Sequence, residues 1–321
     1  MENQFSSELH IEDTTGTSEN MPAVSILYKK KNWKVREKIF SYLIYACGML
    51  VLLLVAGITL NLVFNSIPTL KAYGVKFVIG TEWNPVNDQF GAFPFIAGTI
   101  LTAFLALLIS LPFSMSIGIV LGEYFKEGIF SSFIKTMTEL LAGIPSVIYG
   151  FWGAYFIIPA IQALEMQIGV VPYGVGVLSA SLVLAVMIIP YSASFAREAM
   201  ELVPNDLKEG AYSLGATRFE VISTISIPFS ISGIIAGIIL SLGRALGETM
   251  AVTMLIGNVN GIPENIFAPG QTIASIIANQ FNEANNELHI SAMIELGLIL
   301  LIITAIINII GKLIISKMRV E

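Results

Sequence analysis

Apolar residues in this chain come in six long runs rather than alternating with polar ones. The runs cover roughly 39–64, 93–121, 136–161, 173–195, 229–256 and 291–315. Each is long enough to cross a bilayer as a helix, which takes about 20 residues. Runs of this length point to helices rather than a barrel, because every backbone polar group must be satisfied inside lipid. Pro112, Pro145, Pro159 and Pro190 lie inside or near the ends of the runs. Membrane helices tolerate such prolines as kinks. The pattern predicts an all-α integral membrane protein with a polar, disordered tail over 1–34 and a transmembrane domain over 35–321.

Composition agrees. Of the 321 residues, 55% are hydrophobic and 12% charged, against about 25% charged in a soluble domain. The mean hydropathy is +0.78. The net charge of −6 says little about partners, because Glu2, Glu8, Glu12, Asp13 and Glu19 all sit in the tail. The lone Cys47 excludes a disulfide framework and reads as a small buried apolar residue. The apolar run around it is too long for a signal-peptide core of about 7–15 residues.

Lysine and arginine set the orientation. Six precede the first span: Lys29, Lys30, Lys31, Lys34, Arg36 and Lys38. With that side cytoplasmic, the inner loops add Lys126, Lys135, Arg197, Lys208 and Arg218, and the C-terminus adds Lys312, Lys317 and Arg319. Only Lys71 and Lys76 fall outside. Both termini are therefore expected in the cytoplasm. Two outer loops are long, 65–92 and 257–290. They can receive a soluble partner or serve as ordinary solvated connections.

One arginine and one glutamate break the apolar rule. Arg244 and Glu248 lie within the fifth run, in Gly243-Arg244-Ala245-Leu246-Gly247-Glu248. A charge at the bilayer centre costs roughly 2.5–3.5 kcal/mol on insertion scales. At a spacing of four they share one helix face and can pair with each other or with a ligand. A guanidinium is a planar fork for carboxylate or phosphate, so anion passage is the first expectation. From Pro228, about 1.5 Å per residue puts Arg244 in the outer half of the span. Gly233 with Gly237, and Gly243 with Gly247, are small-xxx-small pairs that allow close helix contact or leave backbone open to a cavity. Glu139 is expected at the inner end of the third span and Glu295 at the outer start of the sixth, where an acid suits a helix N-terminus. Tyr149, Trp152 and Tyr155 read as packing or interface aromatics.

The inner loop 196–228 is amphipathic. Leu207, Ala211 and Leu214 recur at helical spacing. Pro204, Asn205 and Asp206 start a helix, and Gly215 ends it. Thr217 and Glu220 form a capping box for a second short helix. Such a pair of helices can dock on a protein or lie on the membrane surface.

The loop carries a resemblance. Glu209-Gly210-Ala211, Gly215 and Ile225-Ser226-Ile227-Pro228 resemble the "EAA" loop of ABC importer permeases, with Gly210 where that pattern often has Ala. Four further segments narrow it: Trp83-Asn84-Pro85-Val86, Phe93-Pro94-Phe95-Ile96-Ala97-Gly98-Thr99, Glu139 to Gly150, and Ala245 to Val252. Over roughly 35–320 the chain resembles the PstC-type permeases of phosphate importers, rather than their PstA-type companions.

That resemblance implies a type I, MetI-like ABC importer permease fold with a phosphate pathway through Arg244 and Glu248. Glu209, Gly210, Ala211, Gly215, Thr217 and Pro228 would form the coupling segment that docks on an ATPase. Implied partners are a PstA-type permease, a homodimeric PstB-type ATPase holding ATP and Mg, and a PstS-type phosphate-binding protein. No nucleic acid and no cofactor in this chain are implied, and the location would be the bacterial cytoplasmic (inner) membrane. A permease for another oxyanion or small solute is the nearest alternative. The only Gly-Lys pair, Gly311-Lys312, is followed by Leu313 and is no P-loop. With His10 and His289 as the only histidines, an enzyme is not expected. A proton-coupled carrier using Arg244 and Glu248 as a relay would lack any reason for the docking loop.

Overall fold

The computed structural model describes residues 30–318, with side chains from 36 onward. Most of the 1–34 tail and Arg319 lie outside the described residues. The chain divides into two compact units, Met1–Ala56 and Gly57–Glu321.

Helix α1, Lys30–Tyr73, begins earlier than the tail boundary, so residues 30–34 are helical rather than disordered. No proline or glycine stands between Lys30 and the apolar run, and Lys and Arg are good helix formers. Its first part, up to Ala56, is exposed on every described side. An apolar helix exposed all round suits lipid. Cys47 is likewise exposed, not buried.

In the second unit, α2 (Lys76–Ile79), a two-residue hairpin of β1 (Trp83–Asn84) and β2 (Gln89–Phe90), and α3 (Phe93–Ile119) follow in order. α3 ends in a π-helical turn at Val120–Tyr124. Then come α4 (Ile129–Gly143), α5 (Ser146–Trp152), a π-turn at Gly153–Ile157, and α6 (Ile158–Ile168). α7 (Val177–Glu201), α8 (Asn205–Ser213) and α9 (Arg218–Val221) lead through a π-turn at Ile222–Ser226 to α10 (Ile227–Leu246). The remainder is α11 (Met250–Leu255), α12 (Ile273–Gln280) and α13 (Glu287–Lys317). Among the described residues, six helical stretches are long and apolar enough to cross a membrane, the number the pattern predicts, with the third (146–168) and fifth (218–246) displaced from the expected runs.

Two spans depart from continuous helices. The third predicted span, 136–161, is broken at Ile144-Pro145. Ile144 is extended, with ψ of 128°, because the residue before proline is pushed out of the α region. The fifth, 229–256, stops at Leu246 and resumes at Met250. Gly247, a weak helix former, caps the first piece.

α7 is the central helix, packed on α3 and α10. Small residues permit this closeness. A Cβ on Gly118 would come within 2.7 Å of the Ala196 Cβ, and one on Gly237 within 2.5 Å of the Phe195 Cβ. Gly233 meets Ala199 in the same way, so the Gly233–Gly237 pair is a helix contact. Leu184, Ile188, Leu246, Val252, Leu255 and Ile256 fill the core between them.

The two long loops fold together rather than lying loose. Trp83, Phe90, Phe95, Ile273, Ile276, Met293 and Leu296 form a second core. The Trp83 indole donates to the Gln280 amide oxygen at 2.9 Å, and Asn286 donates to the Asp88 carboxylate at 2.8 Å. The Tyr73 hydroxyl donates to the Asp88 carbonyl. Glu295 is not at a helix start: Glu287 takes the first turn of α13, and Glu295 lies two turns in, buried.

Candidate functional site

The site is built on two broken helices. At the first break, Pro145 has no N–H to give the Leu141 carbonyl four residues earlier. That carbonyl accepts instead from the Tyr149 hydroxyl at 2.8 Å and, at 3.4 Å, from the Ile144 N–H. The next carbonyl, Ala142, accepts from the Tyr191 hydroxyl of α7 at 3.4 Å. Buried backbone groups rarely stay unpaired, so these two tyrosines stabilise the kink. Tyr149 is buried, whereas Trp152 and Tyr155 are exposed.

At the second break, α11 packs on α5 and α7. A Cβ on Gly150 would come within 3.1 Å of the Ala251 Cα, so the two broken spans touch through a glycine. Arg244 lies in the last turn of α10, exposed, with its guanidinium carbon 4.5 Å from the Tyr191 ring centroid. Among the described residues its guanidinium is in no ion pair. Glu248 is past the helix end, and its Oε1 accepts from the Ala251 N–H at 3.4 Å. The expected pairing of Arg244 with Glu248 on one helix face is therefore absent, because the helix stops between them.

The depth of Arg244 also differs from expectation. Gly237 sits against Phe195 and the Ser192 carbonyl. One and a half to two turns further along α10, Arg244 reaches Tyr191. Tyr191 is fourteen residues from Val177 and ten from Glu201, close to the middle of α7. The α10 helix ends level with the middle of its neighbour, not at its far end. From there the chain runs through Gly247–Thr249 and α11 until the Leu255 carbonyl accepts from the Gly176 N–H, beside the start of α7. The sequence estimate missed this because the helix entering the span starts at Arg218, ten residues before Pro228. Around Arg244 the backbone is open: a Cβ on Gly243 would meet nothing within 4 Å.

At the other end of α10, the short helices fall where the pattern puts them. Gly215 takes a left-handed φ of +89°, and the Ala216 N–H returns to the Ala211 carbonyl at 3.1 Å. Thr217 and Glu220 form the capping box. Glu209, Gly210, Gly215 and Thr217 are exposed, Ala211 is half-buried, and Pro228 opens α10. Leu214 and Phe219 stand 90% and 74% exposed, an apolar surface for its size. Sequence reasoning missed the contacts behind this hairpin. Lys208 is buried against Glu123 at 2.6 Å, and Arg218 donates to the Glu123 carbonyl at 2.5 Å. Glu139 lies in a small cleft with Lys135, Ser194 and Arg197.

The family model "Binding-protein-dependent transport system inner membrane component" matches residues 114–320. The "Phosphate transport system permease protein PstC" of Haemophilus influenzae is 42% identical over 298 residues, covering 88% of this chain and 94% of that protein. The chain belongs to the PstC permease family. A family member of the same name in Pasteurella multocida is 41% identical over 305 residues, covering 90% of this chain and 94% of that protein. A more distant one, the "Probable phosphate transport system permease protein PstC" of Methanocaldococcus jannaschii, is 36% identical over 273 residues, covering 80% and 86%.

Solved permeases share the fold. An inward-facing MetNI methionine ABC transporter chain aligns with TM-score 0.54 at 18% identity, covering 72% of this chain and 95% of that one. A chain of a bacterial alginate ABC transporter aligns with TM-score 0.54 at 16% identity, covering 89% and 95%. The MetI-like helical permease fold expected from the loop motif is the fold observed. As a family member the chain is a multi-pass permease subunit of a multi-subunit ABC importer, not an enzyme.

Proposed function

We propose that this chain is the membrane-spanning subunit of an ATP-driven phosphate importer in the bacterial cytoplasmic membrane, with Arg244 and Glu248 on the substrate pathway. One observation carries the site assignment: an exposed guanidinium, in no ion pair among the described residues, lies beside two helix breaks, at Ile144-Pro145 and at Gly247–Thr249. Helix breaks of this kind are where transporters place substrate. The relatives' names supply the substrate class. The companion subunits follow from the family reading: a PstA-type permease, a PstB-type ATPase dimer and a PstS-type binding protein.

In this reading phosphate reaches the pathway from the binding protein on the outer face. Two of its oxygens take the fork of Arg244, displacing the guanidinium from the Tyr191 ring. Glu248 accepts a hydrogen bond from the phosphate hydroxyl, which sulfate cannot offer. Closure of the ATPase dimer pushes the helices of 205–222 and swings the spans between outward and inward access. The experiment is uptake in proteoliposomes by assembled complexes carrying Arg244→Gln or Glu248→Gln, with sulfate as control. Loss of phosphate uptake in the first, and weaker exclusion of sulfate in the second, support the assignment. Normal uptake and selectivity in both remove it.

A further inference from the structure

Lysine is almost never buried unless paired, yet Lys208 of α8 is 6% exposed. Its Nζ lies 2.6 Å from Oε1 of Glu123, and both side chains are less than a tenth exposed. Glu123 belongs to the π-turn that ends α3, a separate span. The second arm of the hairpin reaches the same place. Arg218, the first residue of α9, donates to the Glu123 carbonyl at 2.5 Å and the Tyr124 carbonyl at 3.2 Å. Its guanidinium also lies 4.1 Å from the Tyr124 ring centroid. These carbonyls are free because a helix end leaves its last acceptors without intrahelical donors. The π-turn itself is pressed onto α7: a Cβ on Gly122 would come within 3.0 Å of the Met200 Cβ.

Buried ion pairs are weak devices for stability, since well-packed apolar residues often do as well. What a short charged contact adds is direction and register. Of the apolar residues around α8, Val203 is buried while Leu202 and Leu214 are largely exposed. The loop's contacts to the end of α3 are charged ones, at two successive residues, Glu123 and Tyr124.

We propose that Lys208 and Glu123, clamped by Arg218, form a strut that carries displacement of the docking loop directly into α3. They are positioning residues for coupling, and α3 is driven by α8 as well as through the chain connections to α7 and α10. The proposal rests on the transport reading above.

The test uses the whole complex with its binding protein in proteoliposomes. In the charge-free pair Glu123→Gln/Lys208→Met, phosphate imported per ATP hydrolysed should fall about tenfold, within the usual range of coupling free energies, while ATPase activity persists. A purely structural pair would leave that ratio unchanged in assembled complexes, which overturns the proposal. A second measurement covers failure to assemble. Spin labels on exposed Lys126→Cys and Asp206→Cys, in a Cys47→Ser background, report the strut's length with and without trapped nucleotide. An unchanged distance supports the strut, and separation on nucleotide binding contradicts it. Absence of phosphate-stimulated ATPase in the unsubstituted complex would instead count against the transport reading alone.

Discussion

Arg244 rests on Tyr191, not on Glu248: its guanidinium carbon is 4.5 Å from the Tyr191 ring centroid, and its carboxylate neighbour lies beyond the helix end. A cation–π contact is worth about 0.5–1 kcal/mol when exposed and about 2 when desolvated. That is weak enough to exchange for a bidentate anion. Arg244→Lys keeps the charge but loses the fork, and hydrogen bonds to charged groups are worth about 1.5–3 kcal/mol each. Phosphate uptake by Arg244→Lys should fall roughly tenfold or more, with assembly intact. Unchanged uptake kinetics would mean that charge alone suffices.

The kink at Ile144-Pro145 is supported by a hydroxyl. Tyr149→Phe leaves the Leu141 carbonyl with only the long 3.4 Å contact from the Ile144 N–H, which should cost about 1 kcal/mol. Pro145→Ala restores an N–H that can reach that carbonyl. In a double-mutant cycle read by thermal unfolding of the purified complex, the Tyr149→Phe penalty should shrink in the Pro145→Ala background. Additive effects would show that the hydroxyl does not substitute for the missing N–H.

Three glycines that look alike in sequence should behave differently. Gly237→Ala forces a Cβ onto Phe195 and Gly233→Ala forces one onto Ala199, so both should lower the melting temperature. Gly243→Ala meets nothing, and replacing a helical glycine by alanine is worth up to about 0.5–1 kcal/mol, less in a last turn, so that variant should be neutral or slightly stabilised. Equal destabilisation by Gly237→Ala and Gly243→Ala would contradict the packing described.

The turn between α8 and α9 needs a left-handed residue. At φ of +89°, Gly215→Pro cannot keep the hairpin, because proline fixes φ near −65°. ATP hydrolysis should persist in assembled complexes while phosphate uptake falls, as measured by the ratio of the two rates. A retained ratio would count against the docking role of this hairpin.

Local features were legible in the sequence and distant pairings were not. Six apolar runs marked six helical spans. The Thr217–Glu220 capping box and the Gly215 turn involve residues within one or two turns, so spacing revealed them. The docking motif and the phosphate-permease segments led to the family. By contrast, Gly243 to Glu248 reads as continuous helix, whereas α10 ends at Leu246 and α11 starts at Met250, packed on α5 and α7. Arg244 therefore lost its expected partner and moved toward mid-depth. Lys208 and Glu123 are 85 positions apart, and Trp83 and Gln280 197 apart, with no local signal to join them. Glu295 was misplaced because the sixth helix starts at Glu287, ahead of its apolar run.

The central claim is that Arg244 handles phosphate on the transport pathway. The direct measurement is phosphate-stimulated ATPase activity of the complex with its binding protein, comparing unsubstituted protein with Arg244→Gln and using sulfate as control. The account predicts stimulation by phosphate but not sulfate in the former, and loss of phosphate uptake in the latter with the complex still assembled. Full phosphate-stimulated activity and uptake in Arg244→Gln would contradict it.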